Sequence, residues 1–273
     1  MGKFDGQVAF ITGVARGQGR SHAIRLAQEG ADIIGVDICR QIDTVAYPLA
    51  TFEDLEETKT VVEKHGRVAA FEVADVRDLG ALRTAFDAGI GQLGRVDIVI
   101  ANAGIMPTVG ARADDDEAFY DAIDVMLKGV WHTLRVSVPK LIEQQQGGGI
   151  VITSSTAGLK GLSTACEAGS DGYAAAKHAV VGLMRVYANR LAKHRIRVNT
   201  VHPTGVNSPM IANDAFAAFT VEHPEVASAL QNSLPVDLIE CEDISNAIAW
   251  LASTEGRYVT GVTLPVDAGF TSR

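Results

Sequence analysis

Cysteine, positive charge and long apolar runs are all scarce in this chain of 273 residues. Its three cysteines, Cys39, Cys166 and Cys241, form no C-x-x-C pair, so no disulfide scaffold is expected and a reducing compartment fits. The seven histidines fall in no H-E-x-x-H or similar spacing, so no metal site is expected. Lysine and arginine total 24 against 33 acids, a net charge of −9. Nucleic acid is therefore not an expected partner, because phosphate binding needs a concentrated basic face. The densest basic stretch, Lys193-His194-Arg195-Ile196-Arg197, reads as a helix C-terminus complementing the helix dipole, with an anionic polymer as the alternative. No apolar run approaches the roughly 18 residues of a membrane span. Residues 1–8 hold neither an apolar signal core nor a myristoylation pattern, so no membrane attachment and a cytoplasmic location are expected.

What remains is an ordinary globular composition, 47% apolar and 21% charged, without repeats or low-complexity tracts. Apolar, β-branched runs at 8–11, 32–37, 68–73, 97–101, 149–153, 197–201 and 261–266 read as strands. Stretches of helical period lie near 17–29, 53–65, 79–93, 114–145, 173–194 and 242–253. This alternation predicts an α/β fold: a doubly wound, seven-stranded parallel sheet with helices on both faces, in one domain over residues 1–273. Asp114-Asp115-Asp116-Glu117 reads as an acidic helix start, with metal binding as the alternative. Gly147-Gly148-Gly149 reads as a helix-to-strand turn. Two connections are long, an insertion at about 38–52 and a loop at about 206–233. Both leave the carboxyl edge of the sheet, where ligands bind in such folds.

The first strand runs into Thr12-Gly13-Val14-Ala15-Arg16-Gly17-Gln18-Gly19 and then into a helix. Glycines in that context bring backbone N–H groups against a pyrophosphate at a helix N-terminus; a plain turn is the alternative. Asp37 ends the second strand, 18 residues beyond Gly19, where a carboxylate accepts from the adenosine ribose hydroxyls. The same charge repels a 2′-phosphate, which favours NAD, whereas Arg16 beside the ribose would welcome one.

Tyr173-Ala174-Ala175-Ala176-Lys177 places a phenol and an ammonium one helical turn apart. A neighbouring ammonium is expected to pull the phenol below its usual pKa near 10, toward the range of a working base. Ser154-Ser155 ends the fifth strand and offers a hydroxyl to the same substrate oxygen, although such serines commonly just cap a turn.

Taken together, Thr12-Gly13, Gly17, Gly19, Asn102-Ala103-Gly104, Ser155, Tyr173, Lys177, Pro203, Gly205 and Ser208 stand in an order that resembles the short-chain dehydrogenase/reductase (SDR) family over nearly the whole chain. Ala15–His22, the insertion after strand two and Ala176–Met184 resemble its mycofactocin-coupled, carveol-dehydrogenase-like branch. The resemblance implies a Rossmann fold and makes Tyr173 the general acid/base, Ser155 the orienter of the substrate oxygen, and Lys177 both an aid to Tyr173 and a ligand of the nicotinamide ribose. It implies that Gly13, Arg16, Gly17, Gln18 and Gly19 hold NAD through its phosphates, with Asp37 and Ile38 at the adenosine ribose and Asp75 and Val76 at the adenine. Asn102, Ala103 and Gly104 would lie beneath the cofactor, and Pro203, Thr204, Val206 and Ser208 would hold its carboxamide. A small apolar alcohol or ketone, a terpenoid among the candidates, is the implied substrate, with Met106, Leu162, Pro209, Met210, Ile211, Phe216 and Phe219 around it. A homotetramer and a peptide-derived redox partner that reoxidises tightly held NAD are the implied associations.

Two departures stand out. Met126 occupies the position of the family's relay asparagine, where either the relay is weakened or the Met126 backbone carbonyl holds the water. The gap from Ser155 to Tyr173 is longer than usual, the extra residues falling within 164–171. Tyr47, Pro48, Leu49 and Phe52 make the insertion apolar enough to cover the adenosine half of the cofactor or to pack on a neighbouring subunit. A non-catalytic, NAD-binding homologue is the alternative function, with Met126 in its favour; a sugar-nucleotide epimerase is more distant, since no second domain follows the sheet.

Overall fold

The computed structural model describes residues 2–161 and 167–272. From the N-terminus, β1 (Val8–Thr12) leads through α1 (Gly17–Gln28) to β2 (Asp32–Asp37), and α2 (Phe52–Lys64) to β3 (Ala69–Val73). Next come α3 (Leu79–Leu93), β4 (Ile98–Ala101), α4 (Asp116–Ile123), α5 (Gly129–Gln144) and β5 (Gly148–Thr153). Then α6 (Ala168–Leu191) leads to β6 (Ile196–Pro203), followed by β7 (Val206–Asn207), α7 (Asp214–Glu222), α8 (Pro224–Ala229) and β8 (Ile239–Glu240). The chain closes with α9 (Cys241–Ala252) and β9 (Thr263–Val266).

Seven strands pair in parallel in the order β3-β2-β1-β4-β5-β6-β9. The period-two alternation of β1 explains the two covered faces. Phe10 packs with Val36, Val99, Phe86 and Leu134 on one side. Its neighbours Ala9 and Ile11 pack with Ile33, Ile100, Leu26 and Ile248 on the other. The strand order turns back between β1 and β4, which opens a crevice at their carboxyl ends. Loops from β1, β2, β4, β5 and β6 all converge there. This is a single-domain Rossmann fold.

The structure corrects several local expectations. The helix expected over 114–145 is interrupted by a π turn at Asp124–Lys128, with the backbone at Ile123 and Lys128 staying right-handed helical. Asp115 is the N-cap residue of α4 but pairs with Arg112 instead of capping, while Asp116 and Glu117 fill the first turn. The helix expected from 173 begins at Ala168. The basic stretch is not a helix C-terminus throughout: α6 ends at Leu191, a 3-10 turn holds Ala192–His194, and Arg197 lies within β6. Its guanidinium donates to the carbonyls of Leu251, Ala252, Ser253 and Gly256, which close the end of α9. The long loop at 206–233 carries α7 and α8, and β7 pairs with β8 as a two-stranded ladder. Phe52 starts α2 and is 54% exposed in the single chain.

Candidate functional site

The glycine loop is shaped by close approaches. Gly13 has φ +71, and a Cβ there would sit 2.8 Å from Ala103 Cα; one on Gly19 would sit 1.8 Å from Gly13 O. Thr12 Oγ1 accepts from the backbone N–H groups of Asn102 (3.1 Å) and Ala103 (3.2 Å). The Asn102 amide donates to Thr12 O at 3.2 Å, and Thr153 Oγ1 donates to Asn102 Oδ1 at 3.3 Å. One asparagine thereby ties the ends of β1, β4 and β5 together. Arg16, the N-cap residue of α1, makes no side-chain cap, so the first N–H groups of that helix remain for a ligand. Gln18 Oε1 is buried there without a partner.

Asp37 is buried at the end of β2. Its Oδ2 accepts from Ala15 N–H at 3.0 Å and its Oδ1 from Cys39 N–H at 3.3 Å. Burial pushes its carboxyl above the usual range, opposed by the backbone N–H groups of Ala15, Cys39 and Ile38 and by the Arg16 charge. The Arg16 guanidinium itself donates to Pro48 O in the insertion. Asp75 is occupied: burial raises its carboxyl, but the Arg77 fork and Arg40 outweigh this and hold it below its ordinary value. Val76 O accepts from His132 Nδ1 at 2.8 Å.

At the other end of the crevice, Tyr173 and Lys177 lie one turn apart on α6. Lys177 Nζ donates to Thr153 O at 2.9 Å and sits 5.7 Å from the Tyr173 ring centroid. Burial lowers the Lys177 ammonium to about 8. The Ser155 and Tyr173 side chains are hydrogen-bonded. Ser154 Oγ instead donates to Lys177 O at 2.8 Å and locks β5 to α6. His202, fully buried in β6, bonds Ser155 O through Nδ1 at 2.8 Å and Thr200 Oγ1 through Nε2 at 2.8 Å. Burial lowers its imidazole to about 4, so it is neutral and its Nδ1 carries the proton toward the carbonyl.

A single cleft is lined by every residue the sequence singled out for catalysis or cofactor binding, from Gly13 and Asp37 through Asn102 and Ser155 to Pro203, Thr204, Val206 and Ser208. Ile42, Tyr47, Leu49 and Ala50 of the insertion wall it, so the insertion covers this cleft. Met126, buried within the π turn, also lines it. Sequence reasoning missed Thr153, Gln41 and His202, whose partners come from remote strands or from within an irregular loop.

Residues 13–271 match the adh_short_C2 family model, described as enoyl-(acyl carrier protein) reductase. The chain is 49% identical over 280 residues to the (−)-trans-carveol dehydrogenase of Rhodococcus erythropolis, with 99% of each covered. The chain belongs to the short-chain dehydrogenase/reductase family. Carveol dehydrogenase from Mycobacterium avium, solved in complex with NAD, matches this SDR fold with TM-score 0.92 and 48% identity over 100% of both chains. A short chain dehydrogenase from Mycobacterium paratuberculosis bound to NAD matches with TM-score 0.93 and 43% identity, again over 100% of both.

One expectation for the SDR site is corrected. Burial pushes the Tyr173 phenol above its ordinary value, with only the Ser155 hydrogen bond pulling down. Lys177 Nζ spends one N–H on Thr153 O and stays 5.7 Å from the Tyr173 ring centroid. A second cavity, about 700 Å³, adjoins the cleft and shares Met106, Ser155, Tyr173, Thr204 and Ile211 with it. Met106, Ile211, Phe216 and Phe219 line it as expected, Pro209 and Met210 line the cleft instead, and Leu162 lies outside the described residues, as do Thr164, Ala165 and Cys166 of the lengthened gap. Among the described residues no helix is long and apolar enough to cross a membrane.

Proposed function

We propose that this chain is an NAD-dependent oxidoreductase that interconverts a secondary alcohol and a ketone on an apolar substrate. The observation that carries the reading is the meeting of Ser155, Tyr173 and Lys177 at one end of the cleft, with Ser155 and Tyr173 also facing the second cavity. A reacting carbon placed there lies between a dinucleotide-shaped groove and an apolar chamber.

The residues present fit NAD. The glycine cradle and the uncapped N-terminus of α1 suit a pyrophosphate, and the orphan Gln18 Oε1 offers an acceptor within the same groove. Asp37 retains acceptor capacity for ribose hydroxyls beyond its backbone bonds. NAD, when bound, supplies hydride acceptance and donation. Tyr173, kept as a phenol by burial, gives its proton to the carbonyl oxygen during reduction; in oxidation it first loses that proton to solvent, and the phenolate then takes the alcohol proton. Ser155 holds that oxygen, its backbone fixed by His202. Lys177 uses one N–H on Thr153 O and keeps two for a ribose or for charge stabilisation of the phenolate. The family likeness supports the same assignment; a homotetramer, a cytoplasmic location and a peptide-derived redox partner are proposed with it.

The test is a panel of neutral secondary alcohols with NAD and an artificial electron acceptor, followed by reduced-nicotinamide absorbance and acceptor colour. Turnover of at least one alcohol is expected. NAD binding with no turnover of any would reject the catalytic reading.

A further inference from the structure

The second cavity is large for a terpenoid alcohol, and its wall is mainly apolar. We infer that this chain acts on neutral, apolar alcohols or ketones of about twenty heavy atoms, roughly twice the size of a ten-carbon terpenoid; this rests on the oxidoreductase reading above. The liquid share of one water-sized group is about 30 Å³, taken per heavy atom. A ten-carbon alcohol, with about eleven heavy atoms, then fills roughly 330 Å³, under half of the 700 Å³ available. Ligand pockets commonly bury most of their ligand's surface, so a small substrate would leave water against apolar walls.

The walls argue in the same direction. Leu234, Val236 and Leu238 line the cavity, with Pro235 and Asp237 between them, and are 60%, 43% and 37% exposed. A neutral apolar ligand that reaches from Tyr173 to this strip covers side chains that otherwise face water. Val226 and Leu230 from the α8 region and Phe270 from the C-terminal turn complete the far end. Among the described lining residues the sole formal charge is that of Asp237, which repels a carboxylate or phosphate. Asn232 does not read the substrate. Its Oδ1 accepts from Thr204 Oγ1, and its Nδ2 donates to Val236 O and Asp237 O, so the amide builds the wall. The size, the apolar rim and the negative charge together favour a bulky neutral body over a small terpenoid or an acyl chain on an acidic carrier.

The experiment compares a ten-carbon monocyclic secondary alcohol, a polycyclic secondary alcohol of about twenty heavy atoms and an acidic analogue of the latter, each with NAD and an artificial acceptor. The larger neutral alcohol is expected to have a kcat/KM at least about tenfold above the other two. Val236→Trp and, separately, Leu234→Trp, both at exposed positions, should lower that value about tenfold while changing the small alcohol less than about threefold. A preference for the small or the acidic compound, or equal losses on large and small alcohols in both variants, would overturn the inference. Calorimetric binding of the matching ketones to the NAD-supplemented protein separates the two readings. Tight binding of the large ketone without turnover rejects the oxidoreductase and keeps the size preference. Equal binding of large and small ketones rejects the size preference whatever the turnover.

Discussion

Asp37 is held by two backbone N–H groups at the end of β2, while the Arg16 guanidinium donates to Pro48 O. The contest between this acid and this base for the adenosine ribose is therefore tilted toward the acid. Asp37→Ala should strengthen NADP binding relative to NAD by about 1–3 kcal/mol, the scale of a charge repulsion in a largely desolvated site. Titration of both cofactors into wild type and variant checks it, and equal wild-type affinities would hand the choice to Arg16. Residues such as Asp37, Tyr173 and Lys177 were legible in the sequence because their spacing along one strand–turn–helix or one helix face fixes their placement. The upward push on the Tyr173 phenol was not, because its burial depends on the packed sheet.

At the scale of elements, the insertion after β2 behaves as a folded unit. The Gln41 side chain donates to the carbonyls of Val45 (2.8 Å), Ile42 and Tyr47, and accepts from Leu49 N–H at 3.0 Å. Buried Tyr47 then reaches across the cleft, its hydroxyl accepting from Met106 N–H at 3.1 Å. Tyr47→Phe should cost about 1–3 kcal/mol of stability, because it strands a buried N–H without an acceptor. A denaturant midpoint unchanged from wild type would show that water takes over the bond. The apolar content of this insertion was readable; its internal staple was not, since Gln41 meets backbone groups that no periodicity places together. The π turn around Met126 was equally hidden, because such a bulge keeps the helical hydrophobic pattern on either side. The helices α7 and α8 within 206–233 were missed for want of a strong apolar period: no residue of α7 is fully buried.

For the whole molecule, the parallel order and the switch between β1 and β4 follow from the regular alternation of elements, which the sequence displays openly. The same architecture buries an ammonium. Lys177 titrates near 8 when folded and near 10.5 when unfolded. Below about pH 8 both states are protonated and the folded protein carries the full burial cost. Between 8 and 10.5 the folded state binds fewer protons, so this contribution to stability rises with pH. In cofactor-free protein, Lys177→Met should therefore be more stable than wild type at pH 7, with the advantage shrinking as the pH climbs through that window. Thermal midpoints of both forms across pH 7–10 check it; a constant difference would mean that Lys177 is not the group titrating.

The central claim is that Tyr173 moves the proton in a site that otherwise only binds and orients. Its most direct measurement is Tyr173→Phe, assayed for turnover on a substrate accepted by wild type and, in parallel, for NAD affinity by titration. Loss of a general acid/base should lower kcat by about 10²–10⁴-fold while leaving the NAD dissociation constant within a few-fold of wild type. A variant that keeps half the wild-type kcat would contradict the assignment.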